Sequence, residues 1–107
     1  MTSLNAVQRE MAEWSARHLS TSSPTLAALK VCEEAGEVAA AVVKPQDGSG
    51  RPCGDLAEEL ADVILAAATL AGFAAIDLED VVVERIGRLW DRDRPPAPAP
   101  VDDGDPF

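Results

Sequence analysis

The prolines decide what this chain can fold into. They fall at Pro24, Pro45 and Pro52 and then crowd beyond Arg94, so the stretches 1–23, 25–44 and 53–94 contain none. Proline lacks a backbone donor and clashes with the preceding turn, which makes it a marker of helix starts and stops. The intervening spans are rich in alanine, leucine and glutamate, the readiest helix formers. Four helical segments follow. The first runs from about Leu4 to Leu19, with Ala6, Val7, Met11, Trp14 and Leu19 near helical spacing. The second covers about Pro24 to Val43; Ser23 is placed to cap it, and Lys44 before Pro45 disfavours the helical region. After the polar, glycine-rich "PQDGSGRPCG", the third begins with Asp55 as N-cap and Glu58 three residues on, and continues to about Ala71 before Gly72. The fourth follows Asp77, another capping residue, from Leu78 to about Arg92. With no tyrosine and only 4% aromatic residues, such alanine-rich segments predict an all-α four-helix bundle rather than a sheet.

A chain of 107 residues is one domain with a small core. The helical domain is expected over 1–94, and the proline-rich acidic "RPPAPAPVDDGDPF" reads as a flexible tail over 95–107. The run "VILAAATLAGFAAI" carries more apolar surface than a small monomer hides, so the bundle is expected to be completed by at least a homodimer packed through alanine-rich faces. A net charge of -10 argues against binding nucleic-acid polymers or anionic membranes, which need a positive patch. The longest apolar run, residues 63–76, is too short to span a bilayer, and "MTSLNAVQRE" has neither the basic start nor the apolar core of a signal peptide. A cytoplasmic protein with reduced Cys32 and Cys53 is the expectation.

Chemistry enters with a short repeat. "EEAGE" at 33–37 and "EELAD" at 58–62 share the order acid, acid, x, x, acid, each inside a helix. At about 100° per residue, Glu33, Glu34 and Glu37 span one narrow stripe, and Glu58, Glu59 and Asp62 span its counterpart. Leu56, Leu60, Val63, Ile64, Ala67 and Ala71 form the apolar arc beside the second stripe, and Val31, Ala35, Val38, Ala39 and Val42 the arc beside the first. Helices joined by a loop of this length pack antiparallel, which can bring both acidic edges to one side. Facing carboxylates repel unless a cation neutralises them, and a hard divalent ion, Mg²⁺ or Mn²⁺, suits an all-oxygen site. Acidic helix runs also serve as plain solvated faces, and Lys30 can pair with Glu33 or Glu34. Gly36, costly inside a helix, suggests that another backbone approaches there.

Together, "KVCEEAGEVAAAV", a loop, and "EELADVILAAATLAGFAAIDLEDVV" resemble the MazG-like all-α nucleoside triphosphate pyrophosphohydrolases, whose signature is E-x-x-E, a spacer, then E-x-x-D. Those positions are Glu34, Glu37, Glu59 and Asp62 here. The resemblance covers about Lys30 to Arg92. It implies hydrolysis of the α–β bond of a nucleoside triphosphate to a monophosphate and pyrophosphate, Mg²⁺ held by those four residues, and a dimer or tetramer whose subunits border the site together. Clearance of unwanted nucleotides is a common role in such a family.

Within that implication, Glu33 or Glu34 takes the catalytic part of orienting or deprotonating the nucleophile, with Glu58 as competitor. Lys30 shares the face of the first stripe, and Arg85, Arg88 and Arg92 recur along the fourth helix, so Lys30, Arg85 and Arg88 are the phosphate-binding candidates. Leu89 and Trp90 stand where relatives often carry an asparagine. Gln8, Met11, Trp14 and His18 are spaced to line a pocket, Trp14 and Gln8 being the base-binding candidates. A different class of function competes: a catalytically silent helical dimer acting as an interaction module.

Overall fold

The computed structural model describes residues 2–19, 23–43 and 55–93. Within them the chain forms four helices and no strand: α1 (Leu4–His18), α2 (Pro24–Val43), α3 (Leu56–Phe73) and α4 (Leu78–Arg92). The "PQDGSGRPCG" segment, Cys53 and the tail lie outside the described residues.

Three of the four starts are held by a side-chain cap that satisfies an otherwise unpaired N–H. Ser3 Oγ accepts from the Ala6 N–H at 3.1 Å, Ser23 Oγ from Leu26 at 3.2 Å, and Asp77 Oδ1 from Asp80 at 3.1 Å. Asp55 departs from expectation: its side chain caps nothing, and only its carbonyl joins α3, accepting from the Glu59 N–H at 2.9 Å.

The ends differ as well. α1 stops at His18, one residue short of the expected Leu19. α3 continues through Gly72 to Phe73, and the chain reverses instead at Ala75, with φ of 56°. The Ile76 N–H reaches Ala71 O at 2.9 Å and the Ala75 N–H reaches Gly72 O at 3.2 Å, a paired closure of the last helical carbonyls. Tertiary bonds fix the corner there rather than at the glycine. Gln8 Nε2 donates to Ile76 O at 2.6 Å while its Oε1 accepts from the Leu78 N–H at 3.1 Å. Asn5 adds two bonds to the Glu79 carboxylate, from its backbone N–H at 3.3 Å and its side-chain amide at 3.0 Å.

α3 is the centre of the packing, lying mainly against α2 and also against α1. α4 breaks away from α3 at 112° and makes a smaller contact with α1. Among the described residues the buried apolar side chains are all alanine: Ala27, Ala41, Ala66, Ala68 and Ala71. Leu60 and Ile64, expected in the apolar arc of α3, are exposed, because the contact with α2 and α1 runs along the alanines instead. α4 buries nothing, although Val82, Ile86 and Leu89 form an apolar stripe along it. No single described helix is long and apolar enough to cross a membrane.

Candidate metal centre and its cavity

The buried line of α2 is Ala27, Glu34 and Ala41, seven residues apart. This spacing keeps one stripe of a helix against a neighbour over several turns. Glu34 therefore sits in the seam with α3 rather than at its edge, only 8% exposed. Across the seam, Glu59 and Asp62 lie three apart on one face of α3, both half-buried. One carboxylate oxygen from each of Glu34, Glu59 and Asp62 lies within 4.8 Å of the others.

Such a cluster leaves an electrostatic mark. The Glu59 carboxyl is held above its ordinary pKa, first by partial loss of water, then by the negative charges of Glu37, Asp62, Glu34 and Glu58. Glu37, the fourth residue expected as a ligand, is exposed and stands outside the trio, but its charge acts on Glu59. Lys30 answers from one turn earlier on α2, its Nζ 3.0 Å from Glu34 Oε1 and 3.4 Å from Glu33 Oε1. Hydrogen bonds to Glu34 and then Glu33 raise the lysine's pKa further. Glu33 is exposed and is tied to the centre through that lysine.

The donor set fits a hard divalent cation. It consists of oxygen alone, comes from two packed helices, and opens on water that can complete a coordination shell. A spread of up to 4.8 Å is on the scale that oxygens bonded to one Mg²⁺ at ~2.1 Å would occupy.

Glu34 and Asp62 line a cavity of about 740 Å³ between α1, α2 and α3, within the size range of small-molecule sites. Lys30 lines it from α2, and Met11, Trp14 and His18 line it from α1. The Trp14 and His18 rings stack there, with centroids 4.6 Å apart and planes inclined by 21°. Thr69 and Leu65 belong to the wall too, a contribution that sequence reading missed. The signal was present: Asp62, Leu65, Ala66 and Thr69 sit at i, i+3, i+4 and i+7, one face of α3.

The remaining sequence candidates lie elsewhere. Gln8 is not part of this wall; both ends of its amide are committed to the α3–α4 corner. Arg85 and Arg88, on α4, do not line the cavity either. At Gly36 an added Cβ would meet nothing within 4 Å, so no neighbour among the described residues explains that glycine. Cys32 is a free, exposed thiol.

A family model described as the MazG nucleotide pyrophosphohydrolase domain matches residues 22–95, more than half of the chain and all of α2, α3 and α4. Among curated proteins, none matches.

Proposed function

The chain belongs to the MazG nucleotide pyrophosphohydrolase domain family, and on that premise we propose that it cleaves nucleoside triphosphates to monophosphates and pyrophosphate with the help of Mg²⁺ or Mn²⁺. The observation that carries this reading is the trio of Glu34, Glu59 and Asp62, gathered from two helices, two of whose members, Glu34 and Asp62, line a cavity that also holds aromatic rings. A nucleotide has the same two halves, a polyanion and a flat base.

Glu34, Glu59 and Asp62, joined by Glu37 after a side-chain movement, would hold the metal. When bound, such an ion neutralises phosphate charge and acidifies a coordinated water. The protein's own groups do the rest. Lys30 exchanges part of its pairing with Glu34 for a phosphate oxygen. Glu33, and Glu34 where it is not a ligand, orient the attacking water and accept its proton. Trp14 supplies the stacking surface for the base. Arg85 and Arg88 would reach the phosphates from the α4 of a partner subunit.

A homodimer, or a tetramer of two such pairs, belongs to the same proposal. A fold whose buried apolar side chains are, among the described residues, all alanine, with Val82, Ile86, Leu89 and Trp90 exposed on one helix, gains much of its burial from a second copy. Sedimentation at micromolar concentration should give at least twice the chain mass.

The test of activity is a screen of ordinary and oxidised triphosphates with Mg²⁺ or Mn²⁺, read by pyrophosphate release. Turnover that disappears in Asp62→Asn while the helical spectrum persists is the expected result. A protein that dimerises yet leaves every triphosphate intact at high concentration is the silent interaction module instead. Nucleotide-pool cleaning in the cytoplasm, with residues 1–94 sufficient for activity and 95–107 dispensable, completes the proposal.

A further inference from the structure

We infer that His18 selects the base, favouring nucleotides that carry an exocyclic amino group on the edge remote from the sugar; the inference rests on the reading that this cavity takes a nucleotide. His18 Nδ1 lies 2.9 Å from the backbone carbonyl of Trp14. A carbonyl only accepts, so Nδ1 carries the proton, a tautomer assigned from its partner. In the neutral ring Nε2 is then left as an acceptor.

The ring is also held in place. It stacks on the Trp14 indole at 4.6 Å and is tied to the helix backbone, so the direction of Nε2 is set before anything binds. Both side chains line the cavity that holds Glu34, Asp62 and Lys30. Trp14 remains about half exposed, at 48%, leaving indole surface for a base. With the phosphates drawn to the cation site, the edge of the base away from the sugar meets what α1 presents. Cytosine and adenine offer an amino group there; uracil and hypoxanthine offer a carbonyl oxygen, which would set lone pair against lone pair. α1 lies before the residues that the family match covers, so this choice is made by a part of the chain outside the match.

The experiment compares triphosphates that differ only in that group, CTP against UTP and ATP against ITP, with Mg²⁺ at mildly alkaline pH. The amino member of a hydrolysed pair should have a kcat/KM about tenfold higher, as expected for one hydrogen bond in an open site. In His18→Phe, which keeps a flat ring without the acceptor, the ratio should fall to near one through loss on the amino substrate. In His18→Gln, whose amide both donates and accepts, it should fall through gain on the oxo substrate. A wild-type ratio near one, or a ratio that survives both substitutions, overturns the inference while leaving the hydrolase reading intact. Quenching of Trp14 fluorescence by CMP and UMP, in a Trp90→Phe background, reads the same preference without turnover. Tighter CMP binding that vanishes in His18→Phe, in a protein that hydrolyses nothing, would uphold the base selection and remove the hydrolase reading.

Discussion

The ammonium of Lys30 sits 3.0 Å from the buried carboxylate of Glu34, one helical turn away, and thus stands inside the cluster that a metal ion would neutralise. The pair assigns the lysine two opposed effects. It lowers the negative charge available to a cation, and it offers a positive group to phosphate. Lys30→Gln should therefore leave Mg²⁺ affinity unchanged or tighter while raising KM for a triphosphate about tenfold, the scale of a charged hydrogen bond worth ~1.5 kcal/mol. Calorimetry with MgCl₂ alone, set beside steady-state kinetics, separates the two; parallel loss of both would reject this division.

Replacing a single carboxylate of the trio should affect metal response more than folding. Mg²⁺ at a hundred times its Kd stabilises a native site by about 2.7 kcal/mol. Asp62→Asn and Glu34→Gln should each lose most of that gain in thermal melts, and with it pyrophosphate release. The metal-free melting temperature should hold or rise for Asp62→Asn, because a repelling charge is gone. A metal-induced shift of wild-type size in both variants would show that the trio binds no cation.

Glu59 gives the site a pH dependence with a definite sign. A carboxyl whose folded pKa is raised binds its proton more tightly in the folded state than in the unfolded one. Its contribution to stability is fully present below the unfolded value and is lost as pH rises through the raised folded value. In metal-free protein, Glu59→Gln should accordingly gain stability relative to wild type as pH rises from the ordinary glutamate value of about 4.3 through the raised folded value. MgCl₂ should cancel the difference at the upper end of that range, since the ion takes the place of the proton. Melting curves of both proteins across this range, with and without the ion, give the answer.

Both halves of the acidic cluster, Glu34 on α2 and Glu59 with Asp62 on α3, were legible before the fold because carboxylates three residues apart leave a one-dimensional trace. Helix starts at Ser23 and Asp77 were legible for the same reason. Burial was not. Which stripe of α3 is covered depends on how α1 and α2 lie against it, and the alanines won over Leu60 and Ile64, whose hydropathy suggested the opposite. The α3 stop was also hidden, because its corner is tied to Asn5 and Gln8, some seventy residues earlier in sequence. Gln8 looked suited to a base for the same reason it suits this corner: an amide both donates and accepts.

That second role is separable. Gln8→Ala removes a bond to Ile76 O and another to the Leu78 N–H, so it should cost about 1–2 kcal/mol of stability at ~1 kcal/mol each. KM for any hydrolysed triphosphate should stay within about twofold, as expected for a residue that does not line the cavity. A selective rise in KM with an unchanged denaturation midpoint would return Gln8 to the base site.

Ala75 offers the reverse change, a gain. Its φ of 56° lies in the left-handed region, where a β-carbon crowds the following carbonyl at a cost of about 1–2 kcal/mol. The bonds from Ile76 to Ala71 and from Ala75 to Gly72 require that conformation, so the chain cannot relax it without opening the end of α3. Glycine adopts it freely but brings a more flexible unfolded chain, which offsets about 0.4–1 kcal/mol. Ala75→Gly should therefore stabilise the protein by up to about 1 kcal/mol, a rise of roughly 4–8 °C in melting temperature for a small domain. Ala75→Val should do the opposite, because a β-branched residue tolerates positive φ least. If the glycine variant melts lower than wild type and the valine variant does not, α3 ends in some other conformation.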